Sequence, residues 1–587
     1  MTDIRTYLKE KKPLLFDGAM GTCYAALPGR AGERCELASL THPEEITAIH
    51  RAYLDAGCRA IKTNTFSVGA DLARGDEDLA RQIIAASSRL ALTCAEPYGA
   101  YVFADLGPAP EDKALPRGDN YCRQADLFLE QGLRHFLVET LPSDDGISEL
   151  ARHLKANCPE AFLLVSFAVN FDGVTREGFS GQTLFERTAA LDDVDAVGFN
   201  CVSGPHHLLE YIRTLDLGTV PLSVMPNAGY PTVLGRRAAY QGTPDYFGEK
   251  LARIVRAGAA IVGGCCGTTP AHIAAAAAAL SAPAVPGISA KPRRERHVYS
   301  DPSANTLAEK LDRGERVIAV ELDPPVDDDI SFFLDSVRTL RDAGADVVTI
   351  ADCPIGRPRA DSSLLACKIK RELGVEPLPH MTCRDRNLNA TKALLLGLSI
   401  ENIHNVLLVT GDAIPTEDRD EVKSVFNFNS RKLARYVSGL NDTVLHTPFR
   451  IFAALNLNAR NFRIQLQLAQ EKEANGVSGF LTQPVLSEEA LGNLKLARET
   501  LKGKLLGGVF PVVSHKNALF LNNEVSGMHI CDEIIALYED KGREEAEELA
   551  VTISTQIAKE ISPYTDGLYL MTPFKRISLM TRIIEQI

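Results

Sequence analysis

Short apolar runs punctuate the first 285 residues, each ending in small or polar side chains and each followed by a stretch of helical periodicity. They fall at 14–17, 60–63, 101–104, 135–139, 162–166, 196–199, 221–224 and 260–263. Continuous rather than alternating apolar character marks strands buried on both faces, and segments such as 43–56 and 76–95 supply covering helices. Eight strand–helix units predict a closed (β/α)8 barrel, with a doubly wound open sheet as the alternative. The count repeats after residue 305, with runs ending near Glu321, Ile350, His380, Val409, Ala454, Thr482, Val509 and Met571, and with helical stretches such as 330–343 and 461–475 between them. Residues 527–560 read as extra helix before the last strand. The fold class is therefore α/β, two (β/α)8 TIM barrels in tandem, over 1–285 and 306–587. Residues 286–305, rich in Pro and charge and without apolar period, read as a linker whose Arg293, Arg294 and Arg296 form a solvated face.

Composition narrows the function classes. A length of 587 residues exceeds what one core supports. A net charge of -13 argues against a nucleic-acid partner, which demands a basic footprint. The N-terminus has no signal-peptide core, and no apolar run is long enough to cross a bilayer, so a cytoplasmic protein without membrane contact is expected. The 13 cysteines have no framework spacing and read as free thiols in a reducing compartment. A homo-oligomer is compatible with all of this.

Barrel enzymes place their chemistry at the C-terminal ends of the strands. Asp17, Asn64, Glu139, Cys201, Asn227, Cys265 and Cys266 all fall at such ends. Cys265 and Cys266 follow an apolar run and are flanked by glycines, which let the backbone turn tightly and let a ligand approach. Cys201 ends another run. Three thiols at strand ends can meet on one metal, for which Zn²⁺ is the natural choice, with a fourth position left open. The alternative is that the paired cysteines pack as small hydrophobes. Cys23, Cys35, Cys58 and Cys94 read as inert.

Six stretches of the first half, in order, are Asp17-Gly-Ala-Met-Gly-Thr22, Thr63-Asn-Thr-Phe66, Glu139-Thr140, Gly198-Phe-Asn-Cys201, Pro226-Asn-Ala-Gly229 and Gly263-Gly-Cys-Cys-Gly-Thr268. This half resembles the homocysteine S-methyltransferase family. The resemblance implies Zn²⁺ on Cys201, Cys265 and Cys266, with the homocysteine sulfur at the open position. It implies a homocysteine site around Asp17, Gly18, Ala19, Met20, Glu139 and Asn227. The carboxylates of Asp17 and Glu139 would take the ammonium, and the N–H groups of Gly18 to Met20 the carboxylate. Capping of the following helix is the structural alternative for Asp17. A turn-capping role is the alternative for Asn227, which would otherwise fill the fourth zinc position before substrate arrives.

The second half carries neither a G-x-G-x-x-G nor a Walker sequence, so any nucleotide cofactor is held by barrel loops. Ala319-Val-Glu-Leu-Asp-Pro-Pro325, Val347-Val-Thr-Ile-Ala-Asp352, His380-Met-Thr-Cys383, Val409-Thr-Gly-Asp412, Phe452-Ala-Ala-Leu455 and Gly479-Phe-Leu-Thr-Gln-Pro484 resemble methylenetetrahydrofolate reductase. The resemblance implies FAD, NAD(P)H as electron donor, and reduction of methylenetetrahydrofolate to 5-methyltetrahydrofolate. Glu321 would be the general acid. Asp412 would bind the pterin and act on the flavin, Gln483 and Arg576 would bind folate, and Thr349, His380, Thr410, Gly411, Ala453 and Lys472 would contact FAD. The chain departs from the family pattern at Leu322-Asp323, Leu455 and Ala459, which bears on flavin contacts and electron donor. Together the halves imply a bifunctional enzyme; the alternative is a reductase whose homocysteine module serves a separate corrinoid protein. No Asp-x-His-x-x-Gly cobalamin stretch appears. The methyl donor is left among a corrinoid protein, S-methylmethionine and S-adenosylmethionine.

Overall fold

A computed structural model of the chain describes residues 2–10, 13–110, 112, 114–234, 237–282, 305–414, 422–525 and 527–587. Residues 286–304 of the expected linker, with their arginines, lie outside the described residues. The chain divides into two compact units, Met1–Arg296 and His297–Ile587.

In the first unit, strands β1 (Leu14–Leu15), β2 (Ala60–Lys62), β3 (Tyr101–Leu106), β4 (His135–Leu141), β5 (Phe162–Phe167), β6 (Ala196–Asn200) and β7 (Leu222–Met225) are followed by a hairpin, β8 (Pro231–Leu234) and β9 (Arg237–Tyr240), and then by β10 (Ala259–Val262). The sequence pattern does not predict the hairpin, which pairs with no other strand among the described residues. The eight other strands form one parallel sheet in the order β1-β10-β7-β6-β5-β4-β3-β2. The sheet closes through a parallel bridge between Phe16 and Ala60. Arg59 donates to the Leu15 carbonyl at 2.7 Å and the Asp17 N–H to the Ala60 carbonyl at 2.9 Å across that seam.

The second unit contains β11 (Val317–Leu322), β12 (Val347–Ile350), β13 (Glu376–Thr382), β14 (Asn405–Val409), β15 (Arg450–Leu455), β16 (Val477–Pro484), β17 (Lys504–Val509) and β18 (Gly567–Met571), a closed parallel barrel in sequence order. The extra helical segment resolves into two helices, Asp532–Leu537 and Arg543–Ile561. Several expected helix starts are N-caps instead. Asp76 and Asn461 accept backbone N–H groups at the heads of Glu77–Ala95 and Phe462–Ala474, so the first helical residue is one later.

Both barrels are filled by alternate strand residues. Phe16, Ala60, Tyr101, Phe103, Leu137, Phe162, Leu164 and Ala196 form the inner cluster of the first. Val317, Ala319, Val347, Leu378, Leu407, Phe452, Leu481, Leu506 and Tyr569 do so in the second. Period-2 continuation of those positions carries Lys62, Asp105, Glu139 and Asn200 inward at the ends of β2, β3, β4 and β6, and Glu321, Thr349, His380 and Gln483 inward in the second barrel. A short helix packs into each inner cluster. Ile4 of Ile4–Lys9 joins the first, where Arg5 grips Asp195 through two hydrogen bonds of 2.6 and 2.9 Å. Leu307 and Leu311 of Thr306–Asp312 join the second.

Leu311 is fully buried in that position. Leu311→Ala is expected to destabilise the second barrel by about 2–5 kcal/mol, read as a lowered urea midpoint. An unchanged midpoint would show that the helix is not part of the cooperative core.

Candidate active sites

The first site is a cavity of about 260 Å³ at the C-terminal ends of β1 to β4, β6 and β10. Its floor carries Cys201, Cys265 and Cys266, whose sulfurs lie within 4.8 Å of one another, with Cys201 Sγ and Cys266 Sγ 3.7 Å apart. Tetrahedral Zn–S bonds of about 2.3 Å place two sulfurs roughly 3.8 Å apart, so the donor set fits Zn²⁺ as it stands. Hydrogen bonds from Cys201 and Cys265 hold the Cys266 thiol down at about 3. Hydrogen bonds to its two neighbours, then burial, push Cys265 well above the ordinary thiol value. The three thiols share protons among themselves, and a cation bound between the sulfurs would favour releasing them.

Backbone geometry fixes the cysteines. The Cys201 N–H reaches the Met225 carbonyl at 3.1 Å and the Cys265 N–H the Pro226 carbonyl at 2.8 Å. Thr140, Cys201 and Val202 all have positive φ, at 61°, 58° and 54°. Such strain in residues with a Cβ costs about 1–3 kcal/mol each and concentrates at functional sites. The loop 18–20 is tied to the cysteine loop. Thr268 Oγ accepts the Ala19 N–H at 3.2 Å and donates to the Cys265 carbonyl at 2.7 Å, while the buried Tyr53 hydroxyl lies 2.9 Å from the carbonyls of Ala19 and Thr268. A Cβ at Gly18 would stand 2.5 Å from Thr268 Oγ, so only glycine fits.

Among the residues singled out from sequence, Gly18, Ala19, Met20, Glu139 and the three cysteines line the cavity, whereas Asp17 and Asn227 are buried beside it. Asp17 does not cap the helix Met20–Ala25, whose N-cap is Ala19. Its carboxylate accepts the Lys62 N–H at 3.0 Å and pairs with Lys62 Nζ at 3.1 Å. Asn227 Oδ1 has no hydrogen-bond partner among the described residues. Sequence reasoning missed Lys62, Asp105 and Asn200. Asn200 is fully buried and links the parts: its Nδ2 donates to Glu139 at 2.9 Å and lies 3.9 Å from Cys265 Sγ, and its Oδ1 accepts from Ser166 and the Thr140 N–H. Burial, and then Glu139, raises the Asp105 carboxyl well above the carboxylate range, and burial raises Glu139 against the pull of Lys62. The signal that would have found Lys62 and Asp105 was the inward register of Ala60 and Phe103, two residues earlier.

The second site lies at the matching end of the second barrel. Glu321 and Thr349 are register partners on β11 and β12. Tyr569, one inward layer below, donates its hydroxyl to Glu321 Oε2. Burial, and then the nearby Asp323, pushes Glu321 up to about 8, so the carboxyl holds its proton at neutral pH. His380 Nε2 lies 3.8 Å from Glu321 Oε2, but burial lowers that imidazole to about 4, so it is neutral. His380 Nε2 and Thr349 Oγ have no hydrogen-bond partner among the described residues. Gly411 has φ 91°, and a Cβ there would crowd Thr382 and Arg384 at 3.0–3.3 Å. Asp412 Oδ2 accepts the Ile355 N–H at 2.9 Å and its carbonyl accepts from Arg384 at 2.8 Å. Thr410 is exposed, its hydroxyl 3.4 Å from that of Ser430. Gln483 is half-buried near the end of β16. Lys472 reaches the Ala454 carbonyl at 2.9 Å, and burial lowers its ammonium to about 8. Ala453 is buried on the alternate face to Phe452, and Arg576 pairs with Glu547 at 2.8 Å. The unpaired polar atoms, the glycine turn and the inward carboxyl fit a planar polar cofactor and its substrate.

Three thiols at metal-ligand spacing in one barrel and a buried inward carboxyl in the other mark the two candidate active sites. Residues 14–280 match the family model described as homocysteine S-methyltransferase, and residues 306–587 match that described as methylenetetrahydrofolate reductase. Each match spans nearly the whole of its barrel, so the chain carries a homocysteine S-methyltransferase domain followed by a methylenetetrahydrofolate reductase domain. The chain is 30% identical to the methionine synthase of Mycobacterium leprae over 72% of its length and 37% of the relative's. With the methionine synthase of Mycobacterium tuberculosis it shares 32% identity over 52% of the chain and 27% of that protein. The chain thus spans about a third of the length of these curated relatives. Homocysteine methyltransferase MmuM from Escherichia coli, in its metallated form, is 28% identical with a TM-score of 0.38, covering 47% of this chain and 99% of that one. Among the described residues no helix is long and apolar enough to cross a membrane.

Two outcomes follow. Cys265→Ala is expected to lose most bound zinc, measured by elemental analysis after dialysis against a weak chelator; full retention would remove Cys265 from the ligand set. Glu321 sits above its ordinary 4.5 at about 8 in the fold, so its contribution to stability is complete below pH 4.5 and is lost as pH rises to about 8. The stability of the wild type relative to Glu321→Gln is therefore expected to fall across pH 5–8 in urea titrations. A difference independent of pH would contradict the protonated carboxyl.

Proposed function

We propose that the chain is a bifunctional enzyme of one-carbon and methionine metabolism. The first barrel methylates homocysteine to methionine, and the second reduces methylenetetrahydrofolate to 5-methyltetrahydrofolate with FAD and NAD(P)H. The observation that carries the first half is the trio of sulfurs at metal-ligand spacing on the floor of a carboxylate-lined cavity. Cys201, Cys265 and Cys266 would hold Zn²⁺, which when bound keeps the substrate sulfur as the nucleophilic thiolate. The protein's remaining work is to orient the amino acid. Asn200 fixes Glu139 next to Cys265, and the tie from Thr268 to Ala19 keeps the opposite wall in place.

In the second barrel, FAD when bound supplies the hydride. Glu321 keeps its proton through burial, which is what a donor to the departing folate nitrogen needs at neutral pH. Tyr569 orients that carboxyl from below. Thr349, His380, Thr410, Gly411, Ala453 and Lys472 would hold the flavin, and Asp412, Gln483 and Arg576 the folate. Arg576 would have to exchange its contact with Glu547 to do so. The methyl donor for homocysteine comes from a corrinoid protein, S-methylmethionine or S-adenosylmethionine, and turnover with each in turn identifies it.

Measuring the two half-reactions of the reductase separately by stopped flow tests the acid. Glu321→Gln is expected to bind FAD and to be reduced by NAD(P)H at the wild-type rate, while folate reduction falls by about 10² to 10⁴. Equal loss in both half-reactions would reject the acid role.

A further inference from the structure

Four carboxyl groups and one lysine surround the first cavity unevenly. Lys62, Glu36, Asp105 and Glu139 line it, and Asp17 stands behind Lys62 without reaching it. Among the described residues Lys62 is the only cation in the lining. An amino acid carries both an ammonium and a carboxylate into such a cavity, and each charge leaves water only if a partner replaces its hydration.

The backbone offers the carboxylate less than the sequence promised. Of the three N–H groups at Gly18, Ala19 and Met20, that of Ala19 is already spent on Thr268, and Ala19 is extended rather than curled into an anion cradle. The ammonium of Lys62 is the remaining donor with full charge. It is anchored at its base, because Asp17 takes the Lys62 backbone N–H and only one side of Nζ. The opposite charge has its own receptor. Asp105 is 4% exposed, and its Oδ1 has no hydrogen-bond partner among the described residues. It adjoins Glu139, which the Asn200 amide links to Cys265, so the carboxyl pair sits beside the thiols. A substrate whose sulfur is two methylenes from its α-carbon can reach both at once.

We infer that Lys62 and Asp105 are the specificity-determining residues of the first barrel, Lys62 binding the α-carboxylate of the substrate and Asp105, together with Glu139, its α-ammonium. This rests on the reading of that cavity as an amino-acid thiol site. It explains why a lysine is buried on a strand that would otherwise present an apolar or neutral residue inward, and why Asp17 is held in place by Lys62.

Binding to the zinc-loaded full chain tests it by calorimetry with three thiols. Homocysteine carries both charges, 3-mercaptopropylamine only the ammonium, and 4-mercaptobutyrate only the carboxylate. In Lys62→Met, homocysteine affinity is expected to fall on the order of 100-fold, to that of 3-mercaptopropylamine, whose own affinity changes little. In Asp105→Asn, homocysteine affinity is expected to fall towards that of 4-mercaptobutyrate, whose own affinity is retained. Because Lys62→Met strands a buried Asp17, the double variant Lys62→Met/Asp17→Asn is measured alongside and should give the same selectivity. Equal loss for all three thiols, or unchanged selectivity in variants with full zinc content, would overturn the inference. If the wild type binds none of the three, the amino-acid thiol reading itself falls and this inference with it.

Discussion

A parallel barrel runs out of backbone partners at its strand ends, and in this protein carboxylates replace them. Asp17 takes the Lys62 N–H where β1 and β2 diverge. Asp195 takes the Leu163 N–H, Asp346 that of Ile318, Asp352 that of Thr382 and Asp566 that of Leu505. An unpaired buried N–H costs on the order of 1–3 kcal/mol, so each substitution of carboxylate for carbonyl keeps a seam closed. Closure in turn is what turns alternate strand residues inward and so makes a site of them.

The two mouths handle charge in opposite ways. The first concentrates it, with three thiols and a carboxyl pair around one lysine. Burial raises Asp105 and Glu139 above their ordinary values, and hydrogen bonds to its neighbours, then burial, raise Cys265, so protons held on these groups relieve part of that load. The second suppresses charge. Burial leaves Glu321 protonated and His380 neutral, 3.8 Å apart, in a site suited to moving a proton and a hydride. Strain follows function in both. Cys201 and Val202 have positive φ beside the thiol site, and Cys353 and Ile355 do so in the loop that donates to Asp412.

The eight-strand count of each barrel, the thiol trio, Glu139 and Glu321 were all legible in the chain. Continuous apolar runs are what a sheet covered on both faces requires, and the thiols and carboxyls stand at the strand ends where a barrel places its chemistry. Thr268 and Gly18 were visible only as motif members; their reason is a 2.5 Å approach that no spacing reveals. Lys62, Asp105 and Asn200 escaped notice because each sits within or just beyond an apolar run, where a polar residue reads as an interruption.

The order of elements and the residue types at the strand ends belong to the sequence, because hydrophobic period and chemical character are local properties. Which polar residues share a cavity depends on closure and register. Only the folded barrel sets Asp17 behind Lys62 and stands Tyr569 beneath Glu321. Those pairings join residues 45 and 248 positions apart, and no local property of either partner encodes the other.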